Sequence, residues 1–253
     1  FFRLHFYGFW LHHTMQYIQF VDLKEAYRIR QFGYELAEAD RVARLRGRTD
    51  EDWLKELKLV WAVREPDPYY FESALRLQKK LQQEGITFCF IGGLAIQRWG
   101  EVRRTVDIDL TALCDLGQEE EILKKLLGIL NPRVEDIRWM VQTARMYLGV
   151  TEDGRNTDIS LGYIPYEKRL LERAVEVDFN VAEPLVCCSA EDLVILKTVA
   201  GREIDWSDIR RVIQVSGRQM DWELVFSELE QLLKLTENPE SAGQLRALVE
   251  REL

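Results

Sequence analysis

The hydrophobic and polar positions along the chain predict helices first, a mixed α/β segment next, and helices again at the end. Trp53, Leu54 and Leu57 recur at helical spacing after an acidic first turn that suits a helix N-terminus. Pro66 and Pro68 then interrupt the pattern, because the residue before a proline avoids the helical region. From residue 205 onward the pattern is helical again, apart from two turns.

Short apolar runs between these helical parts predict strands. The expected strands cover 87–91, 106–113, 146–150 and 157–161, with further strand-like stretches between 175 and 188. The hairpin turn Glu152-Asp153-Gly154 contains Asp-Gly, a typical turn pair. Helices are expected over 94–99, 119–130 and 165–174, and after the N-cap Ser189. The sequence therefore predicts an α+β fold, with a mixed sheet flanked by helices.

Three parts are expected along the chain. They are an N-terminal extension and helical segment over 1–66, a core over 67–180, and a C-terminal helical region over 181–253. We expect Met15 to be the native start, because the 14 residues before it carry six aromatics and no methionine. The uncharged stretch between Arg3 and Asp22 is too polar to predict a membrane span.

Composition and charge narrow the range of functions that the chain could have. The chain has 253 residues, 47% hydrophobic and 30% charged, which is typical of a globular protein. Its net charge of −9 disfavours a nucleic-acid binder that relies on bulk charge, although a local basic patch remains compatible with it. All three histidines lie within the first 13 residues, so Ser-His-Asp, Cys-His and histidine–metal chemistry are not expected in the folded body.

The four cysteines predict neither a zinc site nor a disulfide scaffold. They form no Cys-x-x-Cys pair and have no histidine nearby. A chain of this size with so few cysteines favours a reducing compartment, so we expect a cytoplasmic protein.

The sharpest candidate for chemistry is Asp107-Ile108-Asp109 on a predicted strand. Side chains alternate faces along a strand, so Asp107 and Asp109 share one face while Ile108 points into the core. Two carboxylates on one face repel each other unless a cation lies between them, and hard oxygen ligands suit Mg²⁺. A solvated strand face is the structural alternative.

A glycine pair upstream strengthens this interpretation. Gly92-Gly93 lies between a predicted strand and a predicted helix, where backbone N–H groups can approach an anion. Arg103 and Arg104 follow and could clamp phosphate or form simple ion pairs. A tight turn without a ligand is the alternative for the glycines.

Asp158 could supply a third carboxylate. It lies on the second strand of the predicted hairpin, and it would complete a triad if that strand pairs beside residues 107–110. Three carboxylates holding two metal ions suit in-line nucleotidyl transfer. Alone, Asp158 would be a surface acid near a turn.

These motifs resemble the DNA-polymerase-β-like nucleotidyltransferase superfamily, and more closely its AbiEii/AbiGii toxin-type branch. The first block is Gly92-Gly93-x-Ala95 followed by Arg104-Thr105-x-Asp107-x-Asp109. The second block is Ser189-Ala190-Glu191-Asp192-Leu193-x-x-x-Lys197, then Gly201-Arg202-x-x-Asp205-Trp206-x-Asp208. The resemblance covers about 71–214. Many members of the superfamily have Gly-Ser where this chain has Gly-Gly.

The resemblance implies a nucleotidyltransferase fold and a two-metal site. Asp107 and Asp109 would bind Mg²⁺ that bridges the nucleoside triphosphate, and Asp158 would hold the metal nearest the attacking hydroxyl and help to deprotonate it. Lys197 would neutralise phosphate charge, with a surface lysine as the alternative. The residues implied for nucleotide binding are Gly92, Gly93, Arg104, Thr105, Lys197, Arg202 and Asp205.

The expected function is transfer of an NMP from an NTP to an acceptor hydroxyl, toxin-like, with RNA, including tRNA, as acceptor. An antibiotic-type nucleotidyltransferase acting on a small molecule is the alternative, because an acidic surface suits a cationic drug. A third hypothesis is a non-catalytic interaction protein of the same fold, which the presence of all three carboxylates disfavours. An antitoxin protein or a homodimer through the N-terminal helices is the expected protein partner, and no membrane partner is expected.

Overall fold

A seven-stranded mixed sheet forms the centre of the computed structural model, which describes residues 46–63, 69–103, 105–236 and 239–253. The predictions for residues 1–45 and for the two prolines lie outside these residues. Residues 48–253 form one compact unit. The three-part division of the chain stays a prediction.

Neighbouring strands of the sheet follow the order β3-β4-β5-β2-β1-β7-β6. The strands are β1 (Phe88–Phe90), β2 (Ile108–Leu113), β3 (Asn131–Pro132), β4 (Met146–Val150), β5 (Asn156–Gly162), β6 (Val175–Val177) and β7 (Leu185–Cys187). The pairs β2–β5 and β1–β7 are parallel, and the other four pairs are antiparallel. The α+β class with a mixed sheet is therefore confirmed.

Helices surround the sheet. They are α1 (Asp50–Val63), α2 (Tyr70–Gln83), α3 (Gly92–Trp99), α4 (Glu119–Leu127), α5 (Ile137–Trp139), α6 (Pro165–Glu172), α7 (Ala190–Ala200), α8 (Glu203–Ser216), α9 (Trp222–Leu233) and α10 (Ser241–Glu252). One π-helical turn, Met140–Ala144, follows α5. Within the described ranges, no helix combines the length and the apolar character needed to cross a membrane.

Local sequence signals set several of these boundaries as expected. β4 and β5 form the predicted hairpin around Gly154. The Ser189 side chain accepts a hydrogen bond from the Asp192 N–H at the start of α7, and Gly201 ends that helix at a φ of +63°. α4 ends at Leu127, three residues before its predicted end, because Gly128 occupies the C-cap.

The two faces of the sheet are covered by two apolar clusters. Phe88, Phe90, Ile108 and Leu110 belong to the cluster that also holds residues of α1, α2 and α4. Cys89 belongs to the second cluster, which holds residues of α3 and of α6 to α10. Since alternate strand residues point to opposite faces, Asp109 and Thr111, which alternate with Ile108, Leu110 and Ala112, face this second, helix-rich layer.

The first helix contributes to the core as its spacing predicts. Trp53 and Leu57 are each 3% exposed and pack in the first cluster. The Trp53 indole N–H donates to the carbonyl of Gln97, which ties α1 to α3. The same helical spacing continues at Val60 and Trp61, whose side chains lie outside the described part.

Candidate active site

Asp109 and Asp158 lie side by side on neighbouring parallel strands. β2 and β5 pair with Ile108 opposite Thr157 and Asp109 opposite Asp158. In-register residues on adjacent strands share a face and lie about 4.8 Å apart along the sheet. The second hairpin strand therefore pairs beside residues 108–113, which was the condition for Asp158 to stand next to Asp109.

Two glycines bring the start of α3 against Asp109. Gly92 has a φ of +56°, in the left-handed region that favours glycine. A Cβ on Gly92 would lie 2.4 Å from Oδ2 of Asp109, and a Cβ on Gly93 would lie 2.3 Å from Oγ1 of Thr105. The Gly93 N–H donates to Oδ2 of Asp109 at 3.5 Å. A larger residue at Gly92 would collide with the carboxylate, and one at Gly93 would collide with the Thr105 side chain.

Asp107 lies in the segment that enters β2. The predicted strand over 106–113 begins instead at Ile108. Tyr70, fully buried at the start of α2, donates its hydroxyl to the backbone carbonyl of Asp107 at 3.0 Å and is hydrogen-bonded to the Thr105 side chain. Burial raises the pKa of Tyr70 far above its ordinary value, so the hydroxyl stays protonated and can donate. Tyr70 therefore fixes the position of the Asp107 backbone.

Asp109 carries a charge that the protein does not neutralise. Burial raises its pKa to about 6, and the negative charges of Asp158 and Asp107 act in the same direction. The Gly93 N–H and the Lys197 ammonium group oppose this rise without cancelling it. Binding of a cation at Asp109 would relieve both the burial cost and the repulsion.

Arg133 completes a row of residues across this face. The Arg133 N–H donates to the Leu148 carbonyl at 3.0 Å, Leu148 pairs with Asp158, and Asp158 pairs with Asp109. The Arg133 guanidinium group forms a hydrogen-bonded ion pair with Oδ1 of Asp158. Sequence reasoning missed Arg133, because the pairing of the two-residue strand β3 leaves no pattern in the sequence.

A buried ionic cluster flanks the carboxylates. Nζ of Lys197 lies 2.8 Å from Oδ2 of Asp208 and 3.2 Å from Oδ1 of Asp205. Arg103 contacts Asp208 at 3.0 Å, and Arg202 contacts Asp205 at 2.7 Å. Lys197 is only 8% exposed, so the surface-lysine alternative is wrong. Whether Lys197 serves phosphate stays a prediction.

The structure thus groups most of the predicted residues around one end of β2. Gly92, Gly93, Asp107 and Asp158 contact Asp109, pair with it, or lie within its electrostatic reach, and Thr105 lies against Gly93. Lys197 and Arg202 also interact electrostatically with Asp109. Arg104 lies outside the described residues.

The donor set at Asp109 and Asp158 fits Mg²⁺. No three His, Cys, Asp or Glu side chains of the described ranges are grouped closely enough to hold a metal ion by themselves. Mg²⁺, however, is usually bound by one or two carboxylates together with water and substrate phosphates. Two adjacent hard carboxylates, one of them with a raised pKa, meet that requirement.

No family model and no curated protein matches this sequence. Several solved structures resemble it, all distantly. The antibiotic-resistance factor ANT(2'')-Ia is 15% identical, with a TM-score of 0.44, over 66% of this chain and 93% of that one. The lincomycin-bound lincosamide antibiotic adenylyltransferase LnuA is 14% identical, with a TM-score of 0.41, over 57% and 97%. An antigenic nucleotidyltransferase-like protein from Paracoccidioides brasiliensis is 18% identical, with a TM-score of 0.38, over 76% and 93%.

Proposed function

We propose that this protein is a Mg²⁺-dependent nucleotidyltransferase, which moves an NMP from an NTP to an acceptor hydroxyl. The observation that carries the proposal is the in-register pair Asp109–Asp158 beside the glycine start of α3. The carboxylates that could bind a cation are therefore in direct contact with the helix start, whose backbone N–H groups could bind phosphate. The first sequence block that resembles the nucleotidyltransferase superfamily falls on α3 and on the start of β2, and the second falls on α7 and α8.

The residues divide the work between substrate binding and proton transfer. Asp109, Asp158 and the nearby Asp107 would hold Mg²⁺, which when bound neutralises triphosphate charge and acidifies the attacking hydroxyl. The N–H groups of Gly92 and Gly93 would donate to the triphosphate at the start of α3. Asp158 would orient the acceptor hydroxyl and take its proton.

The cationic residues of the flanking cluster pair with two acids of α8, Asp205 and Asp208. Lys197 and Arg202 stand within electrostatic reach of Asp109 while each is paired with Asp205. In this proposal they add positive potential where the triphosphate would lie, and Asp205 orients them. Thr105, whose side chain occupies the space that a Cβ on Gly93 would need, would fix the glycine turn.

The acceptor we propose first is RNA, such as tRNA, in a toxin-like role with an antitoxin or a second copy of the chain as protein partner. A small cationic acceptor is the second candidate, and the net charge of −9 favours it. A cytoplasmic location is part of the proposal, supported by four cysteines that are all unpaired and buried.

The test is transfer of label from each α-labelled NTP, with Mg²⁺, to total RNA or to a panel of aminoglycosides and lincosamides. We expect transfer by the wild-type protein and a loss of at least about 100-fold in Asp109→Asn, since metal-bound transition-state stabilisation is worth several kcal/mol. Asp115→Asn removes a surface carboxylate paired with Lys168 and serves as the matched control. Absence of transfer with every NTP and acceptor would leave the non-catalytic hypothesis.

A further inference from the structure

Arg133 holds a position in the site that no sequence motif assigns. It follows β3, and its backbone N–H extends the β3–β4 pairing to Leu148. Leu148 lies between Arg133 and Asp158 in the row across the sheet, so the three side chains share one face. The Arg133 side chain therefore passes over Leu148 to reach Asp158.

The two carboxylates of this row, Asp158 and Asp109, differ in whether they form an ion pair. Asp158 has a guanidinium group on Oδ1, whereas none of the ion pairs found within the described residues involves Asp109. Both partners of the Arg133–Asp158 pair are 32% exposed at the side chain. Partly exposed pairs of this kind add little to folding stability, so the fold does not require this contact.

The contact occupies one oxygen of a carboxylate that would be a ligand of a divalent cation. The guanidinium donates to Oδ1, and carboxylate oxygens are the ligands that a divalent cation takes. A dication next to the guanidinium would also be repelled by its positive charge. Arg133 and a cation therefore compete for Asp158.

We propose that Arg133 is an exchangeable counter-cation, which holds Asp158 until a divalent metal ion displaces it. This inference rests on the proposed function, because it assumes that Asp158 is a metal ligand. Its consequence is that the carboxylates keep one compensating charge when no metal is bound, at the expense of metal affinity.

The experiment measures Mn²⁺ binding without nucleotide, by electron paramagnetic resonance, in a double-mutant cycle. The proteins are the wild type, Arg133→Gln, Asp158→Asn and the double variant. We expect Arg133→Gln to bind Mn²⁺ about ten-fold more tightly than the wild type, equivalent to about 1.4 kcal/mol. The same change in the Asp158→Asn background should have little effect, because the competition acts through Asp158.

Arg138→Gln is the matched control. It removes an arginine from another ion pair, with Glu120 on α4, and should bind Mn²⁺ as the wild type does. Arg133→Lys keeps the charge without the planar fork and should fall between the wild type and Arg133→Gln. Thermal melting of each variant checks that the fold is intact.

Two results would overturn the inference. One is unchanged or weaker Mn²⁺ binding by Arg133→Gln, and the other is an equal gain in both backgrounds, which would make the effect one of general charge. A wild type that binds Mn²⁺ through Asp158 and transfers no nucleotide would remove the proposed reaction and leave the exchange intact. If the wild type transfers nucleotide but Arg133→Gln binds Mn²⁺ no more tightly than the wild type, the proposed reaction stands and the exchange is refuted.

Discussion

Two groups of buried or half-buried carboxylates in this molecule differ in whether a nearby arginine neutralises their negative charge. Asp192 is fully buried and receives two hydrogen bonds from Arg173, at 2.6 and 2.9 Å. Glu228 is contacted by both Arg169 and Arg173, which hold its pKa below the ordinary value. Asp109 lacks such a partner within the described residues, and its pKa is raised to about 6. The first group joins the end of α6 to α7 and α9, whereas no ion pair within the described residues involves Asp109.

This contrast explains why charge alone does not identify the site. Both groups combine acids with nearby arginines in the sequence, and only the three-dimensional pairing separates them. A buried charge without a partner costs stability, and charges of this kind are concentrated at functional sites. We expect mutations in the two groups to have opposite effects on stability.

The largest expected effect is on the compensated group. Arg173→Met leaves Asp192 buried without its main partner, and we expect a loss of about 3–5 kcal/mol in the free energy of unfolding. Urea denaturation at pH 7 measures it. Lys79→Met, which breaks an exposed pair with Glu183, is the control and should cost less than about 1 kcal/mol. Equal losses in the two variants would refute the distinction between the groups.

A smaller effect is expected at the hydroxyl beside Asp107. Tyr70→Phe and Tyr147→Phe each remove a buried hydroxyl that donates to a backbone carbonyl, of Asp107 and of Leu130 respectively. Each should lose about 1 kcal/mol of stability. Only Tyr70→Phe should also lower kcat/KM for nucleotide transfer, by about ten-fold, because the Tyr70 hydroxyl positions the segment that enters β2.

The comparison of the two tyrosine variants decides the role of Tyr70. A fall in kcat with unchanged KM, at equal loss of stability, indicates positioning of a catalytic group. Parallel behaviour of the two variants in activity as well as stability would make Tyr70 purely structural.

The smallest expected effect is a gain. In EDTA, Asp109→Asn should raise the free energy of unfolding at pH 7 by about 1 kcal/mol, after allowance for solvent screening of a partly exposed group. The folded-state pKa of about 6 lies above the ordinary value of 3.8, so the folded protein binds the proton more tightly. Wild-type stability therefore falls as the pH rises from about 4 to about 6.

The pH series gives this prediction its control. Below about pH 4 the carboxyl is protonated in both states, and the difference between wild type and Asp109→Asn should nearly vanish. Urea titrations between pH 4 and pH 7.5 measure the difference. A variant that is less stable than the wild type at pH 7 would mean that Asp109 is a structural residue.

Much of the fold was predictable from local signals in the sequence. The Asp-Gly turn of the β4–β5 hairpin, the Ser189 N-cap and the Gly201 C-cap act over three or four residues, so they are visible in the sequence. The face of the sheet on which Asp109 lies was also predictable, because side chains alternate faces along a strand. The pairing of Asp158 beside it required only that the hairpin join the sheet in the expected place.

The remaining features depend on long-range pairing. Arg133 reaches Asp158 only because β3 adds to β4 through two residue pairs, and such a short strand has no periodicity. The burial of Lys197 between Asp205 and Asp208 depends on how α7 and α8 pack, which sequence spacing does not fix. In the sequence, Tyr70 is an ordinary core aromatic residue, and only the structure shows that its hydroxyl donates to the Asp107 carbonyl.

The most direct test of the central claim is a crystal structure with Mn²⁺ and a non-hydrolysable NTP analogue, using anomalous scattering to locate the metal. We predict an anomalous peak within about 2.3 Å of carboxylate oxygens of both Asp109 and Asp158, with the triphosphate against the N–H groups of Gly92 and Gly93. A triphosphate bound elsewhere, or manganese held by other carboxylates with Asp109 and Asp158 free, would contradict it.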